Sequence, residues 1–212
     1  MRDVIVVTGT GTEVGKTWTT ARLVTGLRQL GMSSVARKPA QSFEPGTGRT
    51  DAEILAEVSG EHPHDVCPRH RWYEVPLAPP MAAQALRRPE PRVGQLAREF
   101  RASAEIILVE GVGGVRSPLA IDGDTSDLAR MLDARCVVLV ARPDLGTINE
   151  VRLACQALAD LEVIVFLNRF DPFDDLHRRN RDWLRHYDRL TVHTEVESIA
   201  ERLLARHSME VT

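Results

Sequence analysis

The stretch Thr8-Gly9-Thr10-Gly11-Thr12-Glu13-Val14-Gly15-Lys16-Thr17 decides the fold predicted for this chain. It follows the apolar run Val4-Ile5-Val6-Val7, which predicts a strand, and it leads into residues 16–30, whose pattern predicts a helix. A glycine-rich turn between a strand and a helix that ends in Gly-Lys-Thr is typical of a phosphate-binding loop. Its backbone N–H groups and the positive end of the helix dipole point at an anion, and the Thr17 hydroxyl can bind magnesium.

The loop departs from the usual spacing of glycines in such a motif. Thr10 stands where the first glycine of G-x-x-x-x-G-K-[ST] is expected, and Gly9 lies one position earlier. The sequence therefore predicts a phosphate-binding loop that is one residue longer than the standard one.

The composition indicates one globular domain, which we expect to span residues 1–212. A chain of 212 residues with 43% hydrophobic and 27% charged residues can bury one core, and this length favours one domain over two full domains. The net charge of −3 argues against binding to nucleic acid or to a membrane surface. The three cysteines fit no disulfide framework, and we expect neither a signal peptide nor a membrane span. We therefore expect a cytoplasmic protein.

Lysine is rare in this chain, and its two positions are informative. Of 27 basic residues only Lys16 and Lys38 are lysines, and the others are arginines. A coding bias toward arginine explains the majority but not these two exceptions. Lysine carries a compact charge on a flexible stem, whereas arginine presents a rigid fork. We interpret both lysines as functional.

Strands and helices alternate along the chain, which predicts an α/β fold with a mostly parallel central sheet and helices on both faces. The wholly apolar run 106–109 is typical of a central strand. Residues 61–76 have no clear period, and we interpret them as a surface excursion. Strands are predicted at 4–7, 34–37, 106–109, 136–141, 163–167 and near 191, and helices at 16–30, from 50, at 80–86, 93–102, 126–132, 148–158, 172–187 and 196–206.

Polar residues follow several of these strands. In an open parallel sheet, ligands bind beyond the carboxyl ends of the strands, so we expect these side chains at one edge. They are residues 12–17, Lys38, Glu110, Asp144 and Asn168. Glu110 can bind magnesium there, and the glycines after it let a ligand approach the backbone. Asp51 has two interpretations. It is either a carboxylate of this site or a residue that only favours the helix dipole, because Thr50 and Glu53 form a capping box around it.

Three further groups give weaker signals. His62, His64, Cys67 and His70 match no standard zinc spacing, which favours a loop with chance histidines. Arginines and aspartates are interleaved over residues 174–189, which favours a solvated helix with ion pairs over a basic patch. Asn168-Arg169-Phe170-Asp171 is similar to a nucleobase-reading signature. We predict that Asn168 contacts the base and leave Asp171 undecided between a base contact and a turn.

Four segments together resemble the dethiobiotin synthase family. They are residues 8–17, Lys38-Pro39, Glu110-Gly111-Val112-Gly113-Gly114 and Leu145-Gly146-Thr147-Ile148-Asn149, in this order and spacing. The longer phosphate loop is itself a feature of that family. The resemblance covers about residues 3 to 170. It implies a single-domain P-loop NTPase-like fold and a homodimer that uses ATP and Mg²⁺.

The resemblance implies the ring closure of 7,8-diaminononanoate with carbon dioxide to give dethiobiotin. Lys16 and Lys38 would be catalytic, and Thr17, Asp51 and Glu110 would hold the metal. Substrate contacts would come from Thr12, Lys38, Ser42 and, from the partner subunit, Asn149. ATP would be bound by Glu13, Val14, Gly15, Lys16, Thr17, Trp18, Asp51, Glu110, Gly111, Val112, Gly113, Asn168 and Arg169.

The sequence departs from the family pattern in two segments. Residues 191–195 lack the Gly/Pro loop that helps to hold the base, which leaves the nucleotide preference open. Residues 77–82 match the substrate loop only loosely, which leaves the exact substrate open.

Two other classes of protein share the phosphate loop. Amidotransferase-type synthetases such as the cobyrinate diamide synthases carry an additional glutaminase domain, for which 212 residues leave no room. Nucleotide switches of the chromosome-partitioning type place a signature lysine five positions before the loop lysine, where this chain has Gly11. Both comparisons favour the synthase.

Overall fold

The computed structural model describes residues 3–99 and 102–211. The strands are β1 (Asp3–Gly9), β2 (Ser34–Arg37), β3 (Gln41–Ser42), β4 (Trp72–Tyr73), β5 (Ile106–Glu110), β6 (Pro118–Ala120), β7 (Gly123–Asp124), β8 (Cys136–Ala141), β9 (Val163–Leu167) and β10 (Thr191–His193). The helices are α1 (Lys16–Gln29), α2 (Asp51–Ser59), α3 (Pro63–Val66), α4 (Pro79–Ala85), α5 (Val93–Glu99), α6 (Thr125–Met131), α7 (Thr147–Ala157), α8 (Asp175–His186) and α9 (Val196–Val211).

A six-stranded sheet in the order β10-β9-β8-β1-β5-β2 forms the centre of the molecule. All of its neighbouring strands pair in parallel. Strand β1 lies between β5 and β8, with Val7 opposite Glu110 and Gly9 opposite Val140. This register brings the start of the glycine-rich loop, the Glu110 carboxylate and the end of β8 to the same edge of the sheet.

Helices cover both faces of this sheet, as the alternation of strands and helices predicted. Successive strand side chains point to opposite faces. Ile5 and Val7 pack in a core formed with α1, α2 and α9, whereas Val6 packs in a second core formed with helices α4–α8. Strands β8 and β9 have the predicted bounds, because a strand buried on both faces reads as an uninterrupted apolar run.

Residues 61–76 correct one interpretation of the sequence. We expected a surface excursion, but this segment contains α3, a 3₁₀ turn at Arg69–Arg71 and β4. Val66, Cys67 and Tyr73 are fully buried. The segment is held by the Lys38 N–H, which donates to the Val66 carbonyl at 2.9 Å, and by the parallel pairing of β4 with β3. Aperiodic segments of this kind pack through contacts that are distant in sequence.

Several helix ends differ from the predictions by one residue, and two differ by more, because α8 begins later than predicted and α9 extends to Val211 rather than to residue 206. Helix α8 begins at Asp175 rather than at residue 172, because the Asp174 carboxylate accepts hydrogen bonds from the N–H groups of Leu176 and His177. Its arginines form the predicted ion pairs with Asp175 and Asp182. Helix α5 is described up to Glu99, and residues 100–101 of the predicted helix lie outside the described residues. Within the described part of the chain, no helix has the length and apolar character needed to cross a membrane.

Candidate active site

The glycine-rich loop connects β1 to α1 in a strained backbone conformation. Gly15 forms the N-cap of α1 with φ of +99°, and Glu13 has φ of +58°. Glycine is needed at position 15, because an added Cβ would lie 2.0 Å from Asn168 Nδ2. The Lys16 ammonium donates to the Gly11 carbonyl at 2.8 Å, so the lysine lies folded across its own loop. Burial lowers the pKa of Lys16 to about 8, and the nearby Lys38 charge acts in the same direction.

Four of the predicted site residues form one hydrogen-bonded cluster at the edge of the sheet. Thr17 Oγ1 lies 2.8 Å from Asp51 Oδ1 and 2.8 Å from Glu110 Oε1, and it donates to either. Lys38 Nζ lies 2.7 Å from Asp51 Oδ2 and 2.6 Å from Glu110 Oε1. The lysine and Glu110 are buried, with exposed side-chain fractions of 3% and 0%. The predicted convergence of Thr17, Lys38 and Glu110 is therefore confirmed.

The charges in this cluster depend on one another. Burial alone would lower the pKa of Lys38, but the carboxylates of Asp51 and Glu110 outweigh it and raise that pKa above its ordinary value. The Lys38 ammonium in turn lowers the pKa of Asp51. Burial raises the pKa of Glu110, and Lys38 opposes that shift. Lys38 is thus held as an ammonium ion beside the phosphate loop.

The capping box predicted at the start of α2 is present and resolves the two interpretations of Asp51. The Thr50 side chain accepts a hydrogen bond from the Glu53 N–H, and the Glu53 side chain accepts one from the Thr50 N–H. Asp51 follows at the first helical position, and its carboxylate contacts Thr17 and Lys38. The cap is therefore supplied by Thr50, which leaves Asp51 available to the site.

The oxygen atoms of this cluster fit a magnesium ion. Glu110 Oε2 is buried and has no hydrogen-bond partner among the described residues, although a buried carboxylate oxygen normally has one. Magnesium is commonly bound by one or two carboxylates together with substrate phosphates. Thr17, Asp51 and Glu110 supply a hydroxyl and two carboxylates of this kind.

The histidines and the cysteine of residues 62–70 do not form a cluster like the one around Glu110. Cys67 is fully buried and directs its sulfur toward the carbonyls of Pro68 and Arg71. His64 and His70 are exposed, and His70 contacts Glu99. Within residues 3–99 and 102–211, no group of three or more His, Cys, Asp and Glu side chains comes together to hold a metal.

A cleft of about 840 Å³ opens beside the cluster. The predicted residues that line it are Thr12, Glu13, Gly15, Lys16, Thr17, Trp18, Lys38, Ser42, Asp51, Glu110, Val112, Gly113 and Arg169. Ser42 Oγ is buried without a hydrogen-bond partner in the described structure. Gly111 does not line the cleft, but its carbonyl accepts from Lys38 Nζ at 3.2 Å. Asn149 does not line this cleft and is exposed on α7.

Several residues that line the cleft were not among the predicted contacts, and two of them, Gln41 and Arg142, hold parts of the site in place. Gln41 is buried, and its Oε1 accepts from the Ala52 N–H at 2.9 Å, which holds the first turn of α2 beside Lys38. Arg142 follows β8 and donates to the Glu13 carbonyl at 3.3 Å. Arg142 could have been found from the sequence, because it directly follows an apolar strand. Gln41 could not have been found in this way, because it does not directly follow an apolar strand.

The segment predicted to contact a nucleobase has two different parts. Asn168 is buried, and its Nδ2 donates to the Val14 carbonyl of the phosphate loop at 2.8 Å. Asp171 is exposed and accepts from the Phe173 N–H at 2.8 Å, which is an Asx turn before α8. Trp18 lies 52% exposed near this segment, with its ring stacked on Phe166 at a centroid distance of 6.4 Å. The base contact of Asn168 stays a prediction.

A strand, a glycine-rich loop and a helix at the edge of a parallel sheet define the class of P-loop nucleotide-binding proteins. The family model described as an AAA domain matches residues 3–202. A putative plasmid partition protein of Borrelia burgdorferi B31 covers 100% of this chain and 99% of its own, with a TM-score of 0.57 and 10% identity. Chloroplast FtsY of Physcomitrella patens covers 93% of this chain and 60% of its own, with a TM-score of 0.55 and 14% identity. At these identities the likeness shows the fold alone.

Curated relatives identify the family within this class. ATP-dependent dethiobiotin synthetase of Anaeromyxobacter dehalogenans strain 2CP-C is 40% identical over 81% of this chain and 78% of its own length. The enzyme of the same name from Corynebacterium efficiens is 39% identical over 76% of this chain and 73% of its own. The chain belongs to the ATP-dependent dethiobiotin synthetase family.

Proposed function

We propose that this protein is an ATP- and Mg²⁺-dependent cyclo-ligase of biotin biosynthesis that converts 7,8-diaminononanoate and carbon dioxide to dethiobiotin. The observation that carries the proposal is the buried Lys38 ammonium, 2.7 Å from Asp51 and 2.6 Å from Glu110 and beside the phosphate loop. Relatives that are 39–40% identical to this chain over 76–81% of its length are named ATP-dependent dethiobiotin synthetase. The reducing cytoplasm is the proposed location.

The proposed reaction begins at one amine of the substrate. The amine nitrogen bonds to the carbon of CO₂ and loses a proton, which gives a carbamate. A carbamate oxygen then attacks the γ-phosphorus of ATP, and the bond to the β–γ bridging oxygen breaks to release ADP. The nitrogen of the second amine attacks the carbonyl of this mixed anhydride and loses a proton, so that inorganic phosphate leaves with its oxygen and the cyclic urea closes. Carbamate and phosphate supply the reacting atoms, so no protein nucleophile is required.

The protein contributes positioning and positive charge to these steps. Phosphoryl transfer depends mainly on these two effects. Lys38 lies at the junction of the loop and the cleft, where its ammonium can stabilise the carbamate and the transferring phosphoryl group. Lys16 would contact the phosphates once it leaves the Gly11 carbonyl. Thr17, Asp51 and Glu110 would hold Mg²⁺, which would neutralise phosphate charge.

The nucleotide would lie along the loop and across the ends of the neighbouring strands. Residues Glu13 to Trp18 would contact the phosphates and ribose, residues 111–113 would approach the nucleotide through their backbone, and Asn168 and Arg169 would lie nearest the base. The buried oxygen of Glu110 without a partner supports a ligand at this edge.

The diamine would lie between the loop and Ser42. Thr12 and Ser42 line the same cleft, and the unpartnered Ser42 hydroxyl supports a polar ligand there. Asn149 is exposed outside its own cleft, which fits a contact with the substrate bound to the second subunit of a homodimer.

Incubation with 7,8-diaminononanoate, bicarbonate, magnesium and ATP tests the proposal. We expect phosphate and dethiobiotin to form in equal amounts, and omission of the diamine to stop both. Phosphate without dethiobiotin would indicate another substrate. Formation of neither product, in a protein that still binds ATP, would favour a nucleotide switch.

A further inference from the structure

The Asn168 side chain contacts the phosphate loop itself. Strand β9 ends at Leu167, and the Asn168 N–H extends the pairing with β8 by donating to the Ala141 carbonyl at 2.8 Å. This bond fixes the backbone of Asn168 at the edge of the sheet. The side chain is 6% exposed, and its Nδ2 donates to the Val14 carbonyl at 2.8 Å. A rigid strand end is thus joined to the loop that binds phosphate.

The contact determines the direction of one peptide group. The Val14–Gly15 peptide bond is trans, since the described residues contain no cis peptide. In a trans peptide the carbonyl and the N–H point in opposite directions. When Asn168 draws the Val14 carbonyl to its side of the loop, the Gly15 N–H is turned to the other side. Backbone N–H groups of such loops are the phosphate ligands.

The space around the contact leaves little freedom for another arrangement. Gly15 has φ of +99°, and a Cβ at this position would lie 2.0 Å from Asn168 Nδ2. On the other side of the loop, a Cβ on Gly9 would lie 2.6 Å from Val14 Cγ2. The Val14–Gly15 segment is therefore packed between Asn168 and Gly9.

We infer that Asn168 is a positioning residue for phosphate binding, which acts by orienting the Val14–Gly15 peptide and not only by contact with the base. This inference rests on the proposed binding of ATP at the loop. It makes a distinct prediction, because a loop orientation affects every phosphate ligand whether or not a base is attached. A pure base contact affects only ligands that carry a base.

The test compares ATP with inorganic tripolyphosphate, both with magnesium, by calorimetric titration of the full chain. In Asn168→Ala we expect the affinities for both ligands to fall about tenfold, by equal factors, because the Val14 carbonyl loses its buried donor. In Asn168→Asp, which keeps the shape but turns an acceptor toward the same carbonyl, we expect an equal or larger loss for both. The conservative amide in Asn168→Gln should restore part of the tripolyphosphate affinity.

Asn180→Ala is the matched control. Asn180 is 7% exposed, and its Nδ2 donates to the carbonyls of Pro143 at 2.8 Å and Asp144 at 3.1 Å rather than to a carbonyl of the loop. This variant loses buried amide-to-carbonyl hydrogen bonds of the same type. We expect the two alanine variants to lose similar thermal stability, and only Asn168→Ala to lose tripolyphosphate affinity.

The alternative outcomes are separable. Loss of ATP affinity alone, with unchanged binding of tripolyphosphate, would overturn the inference and leave a base contact. Equal loss in the Asn180 control would also overturn it. A wild-type protein that binds both ligands but makes no dethiobiotin would refute the proposed function and leave the loop inference standing. A wild-type protein that binds neither ligand would overturn both.

Discussion

At the scale of single residues, the site depends on charges that are buried in pairs. Glu110 is fully buried, and the isolated charge would be costly in that position. Lys38 compensates it at 2.6 Å and also contacts Asp51. A lysine suits this position because its compact ammonium reaches two carboxylates from a narrow stem, whereas a guanidinium is wide and planar. This explains why lysine occurs here in a chain whose other basic residues, apart from Lys16, are arginines.

We predict that Lys38→Arg retains ATP binding and loses ring closure. The guanidinium has no room to deliver its charge at a site that is 2% exposed, and loss of such a group lowers kcat by about 100-fold or more. ATP affinity, measured by calorimetry, should change by less than about threefold. The control is Arg37→Lys, because the neighbouring Arg37 pairs with Glu61 rather than with Asp51 or Glu110. Unchanged dethiobiotin turnover in Lys38→Arg would contradict the proposed role.

We predict that Glu110→Gln raises the magnesium requirement. Glutamine keeps the shape of the side chain but removes the charge that attracts the ion, so the concentration of Mg²⁺ for half-maximal turnover should rise about tenfold or more. Glu99→Gln is the control, because Glu99 at the end of α5 pairs with Arg71 and not with a residue of the site. The measurement is a magnesium titration of ATP turnover, and overlapping curves for wild type and Glu110→Gln would exclude Glu110 as a ligand.

At the scale of secondary-structure elements, α2 carries Asp51 into the site. Its start is set by the Thr50–Glu53 capping box and by Gln41, which accepts from the Ala52 N–H. Its end is set by Gly60 in a left-handed conformation. The direction of the helix follows from packing, since Ala52, Leu55 and Ala56 are buried in the core shared with α1. Local capping therefore defines where the helix begins, and packing defines where Asp51 points.

We predict that Thr50→Ala destabilises the protein by about 0.5–2 kcal/mol, the usual effect of removing an N-cap hydroxyl. Thr50→Ser should retain most of the stability. Urea unfolding followed by circular dichroism measures both. Turnover at saturating ATP should remain close to wild type, because Gln41 and the buried face of α2 still hold its first turn. A stable Thr50→Ala variant would mean that Gln41 alone defines this end of the helix.

At the scale of the whole molecule, the parallel sheet collects residues that are distant in sequence. Thr17 and Glu110 are 93 positions apart but form a 2.8 Å hydrogen bond, because β5 pairs beside β1 in register. The same edge receives Lys38 after β2 and Asn168 after β9. In the proposed homodimer, Asn149, which is exposed on α7, would reach the substrate bound to the partner subunit.

We predict that two inactive variants complement each other when mixed. Lys38→Ala removes a group from one side of the proposed shared site, and Asn149→Ala removes one from the partner side. Random exchange makes half of the dimers mixed, and each mixed dimer has one intact site of two. The mixture should therefore recover about a quarter of wild-type turnover. Absence of recovery after verified subunit exchange would mean that Asn149 does not act across an interface.

Much of the fold was predictable because its signals are local. Strands β8 and β9 appear as continuous apolar runs, and the capping box of α2 is a four-residue pattern. Residues 61–76 were misinterpreted because their burial depends on contacts with β2 and β3 rather than on any period. The start of α8 was misassigned by three residues, since Asp171 and Asp174 are equivalent signals until the turn before the helix is known.

By itself, the sequence determined the phosphate loop, the alternation of strands and helices, and the residue types needed at the strand ends. These depend on hydrogen bonds and periodicities that extend over a few residues. Only the tertiary structure decided that Lys38 bridges Asp51 and Glu110, and that Asn168 donates to Val14. Such contacts depend on the strand order β9-β8-β1-β5-β2. That order follows from the packing of helices on both faces of the sheet, which no short stretch of the chain encodes.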